Sequence, residues 1–102
     1  MSWVDVGPTD KIADGEAKSI AVGKRMIAVV RTGESYFAIE DICTHDGAPL
    51  TGGEIEGDQI ICPRHGARFC LRTGEALTPP AYEPVRVFET KIEDGRLWVR
   101  TG

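Results

Sequence analysis

The sequence predicts an all-β domain. Strand-length apolar runs recur about every eight to twelve positions. The 12 glycines and 6 prolines fall largely between those runs. No window carries helical periodicity over a useful length.

Taken in order, Trp3 to Val6 reads as a first strand that Gly7-Pro8 ends, and Asp10 to Glu16 as a polar connection with room for one helical turn. Lys18 to Val22 and Met26 to Val30 flank Gly23-Lys24-Arg25 as a hairpin. Arg31 to Ser35 turns the chain into Tyr36 to Ile39. Gly53-Glu54-Ile55 and Gln59-Ile60-Ile61 face each other across Glu56-Gly57-Asp58. Arg68 to Leu71 and Glu75 to Leu77 make a further hairpin, and Thr78-Pro79-Pro80 is barred from a central strand. Val85 to Glu89, Lys91 to Glu93 and Arg96 to Val99 close the domain, the last two around Asp94-Gly95.

Two short stretches hold the chemistry. Cys43-Thr44-His45 is followed sixteen residues later by Cys62-Pro63-Arg64-His65. They contain both histidines of the chain and two of its three cysteines, each pair beside turn residues. The 53–61 hairpin explains the gap, because an out-and-back excursion returns Cys62 to the side of Cys43. Two loops that each offer a thiolate and an imidazole can close on one centre. A lone zinc ion accepts two sulfurs and two nitrogens. A [2Fe–2S] cluster of the Rieske kind takes two cysteines on one iron and two histidines on the other. Zinc fingers usually pair like with like on each knuckle. Here each loop carries one of each, which favours the cluster and leaves a structural zinc-binding interaction module as the alternative.

The remaining composition narrows the class. One domain fits 102 residues. Sixteen acidic and twelve basic residues leave a net charge of −4, which disfavours nucleic acid and suits a small carrier steered to a basic surface. The opening Met1-Ser2-Trp3-Val4-Asp5 lacks the pattern of a secretory leader, and no apolar run reaches the roughly 20 residues of a membrane span. A cytoplasmic protein away from membranes is expected. No glycine-rich nucleotide motif occurs, and with both histidines spent no 2-His-1-carboxylate iron site remains. No catalytic residue is assigned.

Cys-x-His, sixteen residues, then Cys-x-x-His-Gly resembles the signature of Rieske-type ferredoxins that serve bacterial ring-hydroxylating oxygenases, and the resemblance extends over the whole chain. It implies the Rieske (ISP-domain) fold: a barrel-like base over about residues 1–39 and 81–102, with a cluster-binding β subdomain inserted at about 40–80. It implies one [2Fe–2S] cluster held by Cys43, His45, Cys62 and His65, with the histidine-bound iron outermost. Thr78-Pro79-Pro80 matches the family's proline loop over the cluster. Asp46, Pro49, Arg64 and Pro80 are then the expected docking patch. The implied activity is one-electron transfer by a monomer, from a flavin reductase to a terminal non-haem iron oxygenase, through transient contacts. A nitrite-reductase small subunit, or a carrier in iron–sulfur metabolism, is the alternative client.

High-potential Rieske proteins add a disulfide between the two loops and a Ser and Tyr hydroxyl near the cluster. This chain has Ala48 and Arg64 at the disulfide positions and Ala67 and Phe69 at the hydroxyl positions, so the resemblance implies low potential. Cys70 reads as a buried thiol filling core volume, and Trp3 and Trp98 as core pieces.

Overall fold

A computed structural model describes residues 3–44 and 47–101 of the chain. Its described residues form ten strands and one 3-10 turn at Thr9–Lys11. The strands are β1 (Trp3–Pro8), β2 (Glu16–Val22), β3 (Arg25–Thr32), β4 (Ser35–Glu40), β5 (Ile55–Glu56), β6 (Gln59–Ile61), β7 (Arg68–Cys70), β8 (Val87–Phe88), β9 (Thr90–Glu93) and β10 (Arg96–Arg100). They build three antiparallel sheets in the orders β1-β10-β9, β2-β3-β4-β8 and β5-β6-β7.

β3 is an inner strand of the four-stranded sheet. Ile27, Ala28, Val29 and Val30 are all fully buried, although a strand sends alternate side chains to opposite faces. Both faces of this sheet are therefore covered. Ile27 and Val29 join Ala38, Phe88, Leu97 and Val99 in one core. Ala28 and Val30 join Ile39, Leu50, Ile60 and Phe69 in the other, together with Cys43 and Cys62. The short β5-β6-β7 sheet thus shares a core with the four-stranded sheet, and the two cysteines lie in the same buried cluster as Ala28 and Val30 of β3.

Three elements differ from the sequence reading. β1 runs through Gly7 and Pro8 because it is a sheet edge, where a missing N–H costs nothing. A bulge between Asp5 and Gly7 accommodates them, with the Gly7 N–H donating to the Asp5 carboxylate. The Arg96 guanidinium, 2.6 Å from that carboxylate, holds Asp5 below its ordinary value of 3.8. Glu75 to Leu77 gives only the bridge Phe69–Ala76, because the Thr78 hydroxyl takes the Arg68 N–H that a strand partner would use. Val85 lies outside β8 because its N–H donates to the Gly74 carbonyl instead.

Candidate metal centre

Each ligand loop leaves a strand or its extension and turns back within five residues. In the first, the Cys43 N–H donates to the Ala48 carbonyl and the Gly47 N–H donates to the Cys43 carbonyl, both at 2.7 Å. In the second, the Cys62 N–H donates to the Ala67 carbonyl at 2.7 Å and the Gly66 N–H to the Cys62 carbonyl at 3.0 Å. The two loops are therefore the same knuckle, built twice. Each closes on a glycine in the left-handed region, Gly47 at φ 79° and Gly66 at φ 75°, where a Cβ is penalised.

Cys43 and Cys62 lie in one buried cluster, 0% and 1% exposed, and neither is in a disulfide. His65 is exposed on the second knuckle. His45 and Asp46 lie outside the described residues. Among the described residues no three His, Cys, Asp or Glu side chains converge as a metal site, so the described geometry brings together the thiol pair and leaves His65 at the rim. The donor chemistry fits a cluster of mixed ligation: two thiols sunk in apolar surroundings, each at the head of a hydrogen-bonded knuckle, with an imidazole at the water-facing edge of one of them.

Two contacts hold the first loop in place, and the sequence reading found neither. The Thr44 hydroxyl donates to the Glu83 carbonyl at 2.7 Å, tying the loop to the chain just beyond Pro79-Pro80, a cis pair. The Asp41 carboxylate takes the N–H groups of Leu50 and Thr51 on the other side. Local capping patterns reach only a few residues, so neither partnership leaves a mark in spacing. Of the expected docking patch, Pro49 and Arg64 are exposed and Pro80 is half-buried.

Cys70 departs from its expected role. It is half-buried rather than sealed in the core, and it heads a third knuckle. Its N–H donates to the Glu75 carbonyl at 2.9 Å and the Gly74 N–H returns to its carbonyl at 2.7 Å. The Thr73 hydroxyl, followed by the Thr73 and Arg72 amides, pushes the Cys70 thiol below its ordinary value. The tryptophans also differ from plain core. Trp3 and Trp98 are half-buried, and the Lys91 ammonium sits over both rings, 4.6 and 5.8 Å from their centroids. The Trp98 indole nitrogen is buried with no hydrogen-bond partner among the described residues.

The knuckle pair and its fold match known proteins. The family model for the Rieske [2Fe-2S] domain matches residues 2–89. The chain is 36% identical to the anthranilate 1,2-dioxygenase ferredoxin subunit of Burkholderia cepacia, over 98% of this chain and 93% of that one. The ferredoxin of carbazole 1,9a-dioxygenase from Nocardioides aromaticivorans IC177 superposes with a TM-score of 0.92 at 31% identity, covering 97% of each chain. A chain in the solved complex of reduced oxygenase and oxidized ferredoxin in carbazole 1,9a-dioxygenase superposes with a TM-score of 0.89 at 36% identity, covering 95% of this chain and 91% of that one.

The chain belongs to the Rieske [2Fe–2S] domain family and holds one such cluster. Within that family its relatives are ferredoxin components of ring-hydroxylating dioxygenase systems, and it is an electron carrier rather than a catalytic component. No helix among the described residues is long and apolar enough to cross a membrane.

Proposed function

We propose that Cys43 and Cys62 bind one iron of the cluster and His45 and His65 the other, and that the chain passes single electrons from a flavin reductase to the terminal oxygenase of a ring-hydroxylating system. The observation that carries this is the duplicated knuckle: the same backbone ring twice, each headed by a buried cysteine and each followed within three residues by a histidine. The cluster, when bound there, takes up and releases one electron.

The chain's own residues set how that happens. Buried thiolates keep the sulfur side of the site away from water, so charge changes there are weakly screened. His65 lies at the surface, so its imidazole edge offers an electron a way out. Neutral imidazoles in place of two thiolates raise the potential above the roughly −400 mV of all-cysteine ferredoxins. Ala67 and Phe69, both fully buried beside Cys62, bring no hydroxyl to the sulfurs. The carrier therefore sits at the low end of the Rieske range, about −150 mV. Low potential suits an oxygenase that must be driven to reduce its own centre. The solved ferredoxin–oxygenase complex of the carbazole system supports the oxygenase as acceptor. A cytoplasmic, monomeric carrier that meets reductase and oxygenase in turn completes the reading.

Iron, zinc and acid-labile sulfide analysis of the purified protein tests the site, with iron and sulfide in equal amounts expected. Stoichiometric zinc without iron would replace the carrier by the structural zinc module. Stopped-flow reduction by a flavin reductase of such a dioxygenase system, followed by mixing with its oxygenase, tests the route. Transfer that does not slow as salt rises removes charge steering from the encounter, since exposed charges are screened over about 8 Å at physiological ionic strength.

A further inference from the structure

Among the described residues one charged side chain is buried: Asp41, 8% exposed. A buried carboxylate is costly unless hydrogen bonds replace its water, so its partners reveal its role. Its Oδ1 accepts the Leu50 N–H at 2.7 Å and the Thr51 N–H at 2.9 Å, and its Oδ2 accepts the Thr51 hydroxyl at 2.9 Å. These partners lie nine and ten residues along the chain, on the far side of the first knuckle. The Asp41 N–H in turn donates to the Met26 carbonyl of β3 at 3.0 Å. The carboxylate ties Leu50 and Thr51 to the segment that carries Cys43, and the Asp41 N–H hangs that segment from β3.

No described Lys or Arg neutralises this charge. Arg25, which lines the same surface cleft, pairs with Glu40 at 3.7 Å instead. Three donors orient the carboxylate, and among the described residues no ion pair joins it to Arg25 or to Lys24, which lines the same cleft.

We infer that Asp41 is a positioning residue of the cluster site: it clasps the first ligand loop, and its buried charge lowers the reduction potential of the group held there. The inference rests on Cys43 being a ligand. Asp41 and Cys43 are two residues apart, at most about 7 Å between Cα atoms. Allowing about 12 Å from carboxylate to cluster and an effective dielectric of about 20, one unit charge shifts a one-electron equilibrium about tenfold. That corresponds to about 59 mV.

Voltammetry on the holo forms of the wild type, Asp41→Asn and Thr51→Val tests it. Asp41→Asn keeps an oxygen for the two amides and sets an NH₂ where the Thr51 hydroxyl can accept, so it removes charge and little else. It should be reduced about tenfold more favourably than the wild type. Thr51→Val strips one hydrogen bond from the carboxylate and leaves its charge less screened, so its reduction equilibrium should fall about threefold. Mere loosening of the loop would move both variants in one direction. An Asp41→Asn protein with an intact cluster spectrum and an unchanged or lowered potential overturns the inference, as does any rise in Thr51→Val. Should Asp41→Asn emerge without its cluster, the sign of the Thr51→Val shift decides alone. A wild type without iron and sulfide would instead remove the ligand assignment, and the inference with it.

Discussion

The Cys62 and Cys70 knuckles begin eight residues apart and are the same object in the backbone. Each starts with a cysteine whose N–H reaches the carbonyl five residues on, and each closes on a glycine, Gly66 at φ 75° and Gly74 at φ 80°. Their side chains differ. Cys62 is 1% exposed and the residue three further on is His65; Cys70 is half-buried and the matching residue is Thr73. Thr73 spends its hydroxyl on the neighbouring sulfur, whereas the matching position of the Cys62 knuckle carries the exposed imidazole of His65. The knuckle is thus a property of Cys-x-x-x-Gly in this fold. On the proposed ligation, metal chemistry is added to it by burying the thiol and supplying an imidazole.

The largest effect should come from the heads of the knuckles. Cys62→Ala or Cys43→Ala is expected to leave less than about a tenth of the wild-type iron, because an open coordination position exposes the cluster to water and loss. Cys70→Ala is expected to keep full iron and an unchanged visible spectrum. Metal analysis of the three proteins side by side breaks the comparison if Cys70→Ala also loses its cluster.

The glycines sharpen it next. A Cβ on Gly66 would meet open space, so Gly66→Ala carries only left-handed strain, about 1–2 kcal/mol. A Cβ on Gly74 would come within 2.1 Å of the Val85 carbonyl oxygen. That clash adds about 1–3 kcal/mol to the same strain. Urea titration of apo and holo protein should rank Gly74→Ala as the more damaging. Equal losses would mean that the third knuckle yields where the structure makes it tight.

Hydroxyl placement comes third. Cys70 has a donor in Thr73, whereas Ala67 and Phe69, in the same buried cluster as Cys62, bring no hydroxyl. Ala67→Ser and Phe69→Tyr should each raise the potential, by about 30–60 mV if half of a hydrogen bond to a charged acceptor is gained on reduction. Potentials that stay put in both variants would assign the low value to charge and exposure. The smallest effect concerns Cys70 itself. Its thiol is held low chiefly by the Thr73 hydroxyl, so Thr73→Val should move the pH profile of its alkylation upward. A profile that does not move would discard that hydrogen bond.

The sequence made the fold class and the two Cys/His stretches legible because turn residues and ligand spacing are local. The sixteen-residue gap was read correctly as a hairpin, since β5 and β6 pair across Gly57-Asp58. What escaped was non-local. Asp41 reaches partners nine and ten residues away, and Thr44 reaches Glu83 across 39 residues. Nothing in spacing marks such contacts. Cys70 differs from its expected core role because an apolar residue type in a strand context argues for burial, while its thiol is half-buried beside the Thr73 hydroxyl. The expected base and insertion share one core through Ala28 and Val30, a continuity that a linear reading has no means to see.

The central claim is that both histidines, along with Cys43 and Cys62, bind the cluster. Pulsed EPR on the reduced protein tests it most directly, because nitrogen couplings report imidazoles bound to iron. Two distinct nitrogen couplings are expected in the wild type, one in His65→Cys if the cluster survives, and two again in Cys70→Ala. Two couplings persisting in His65→Cys, or none in the wild type, would contradict the account.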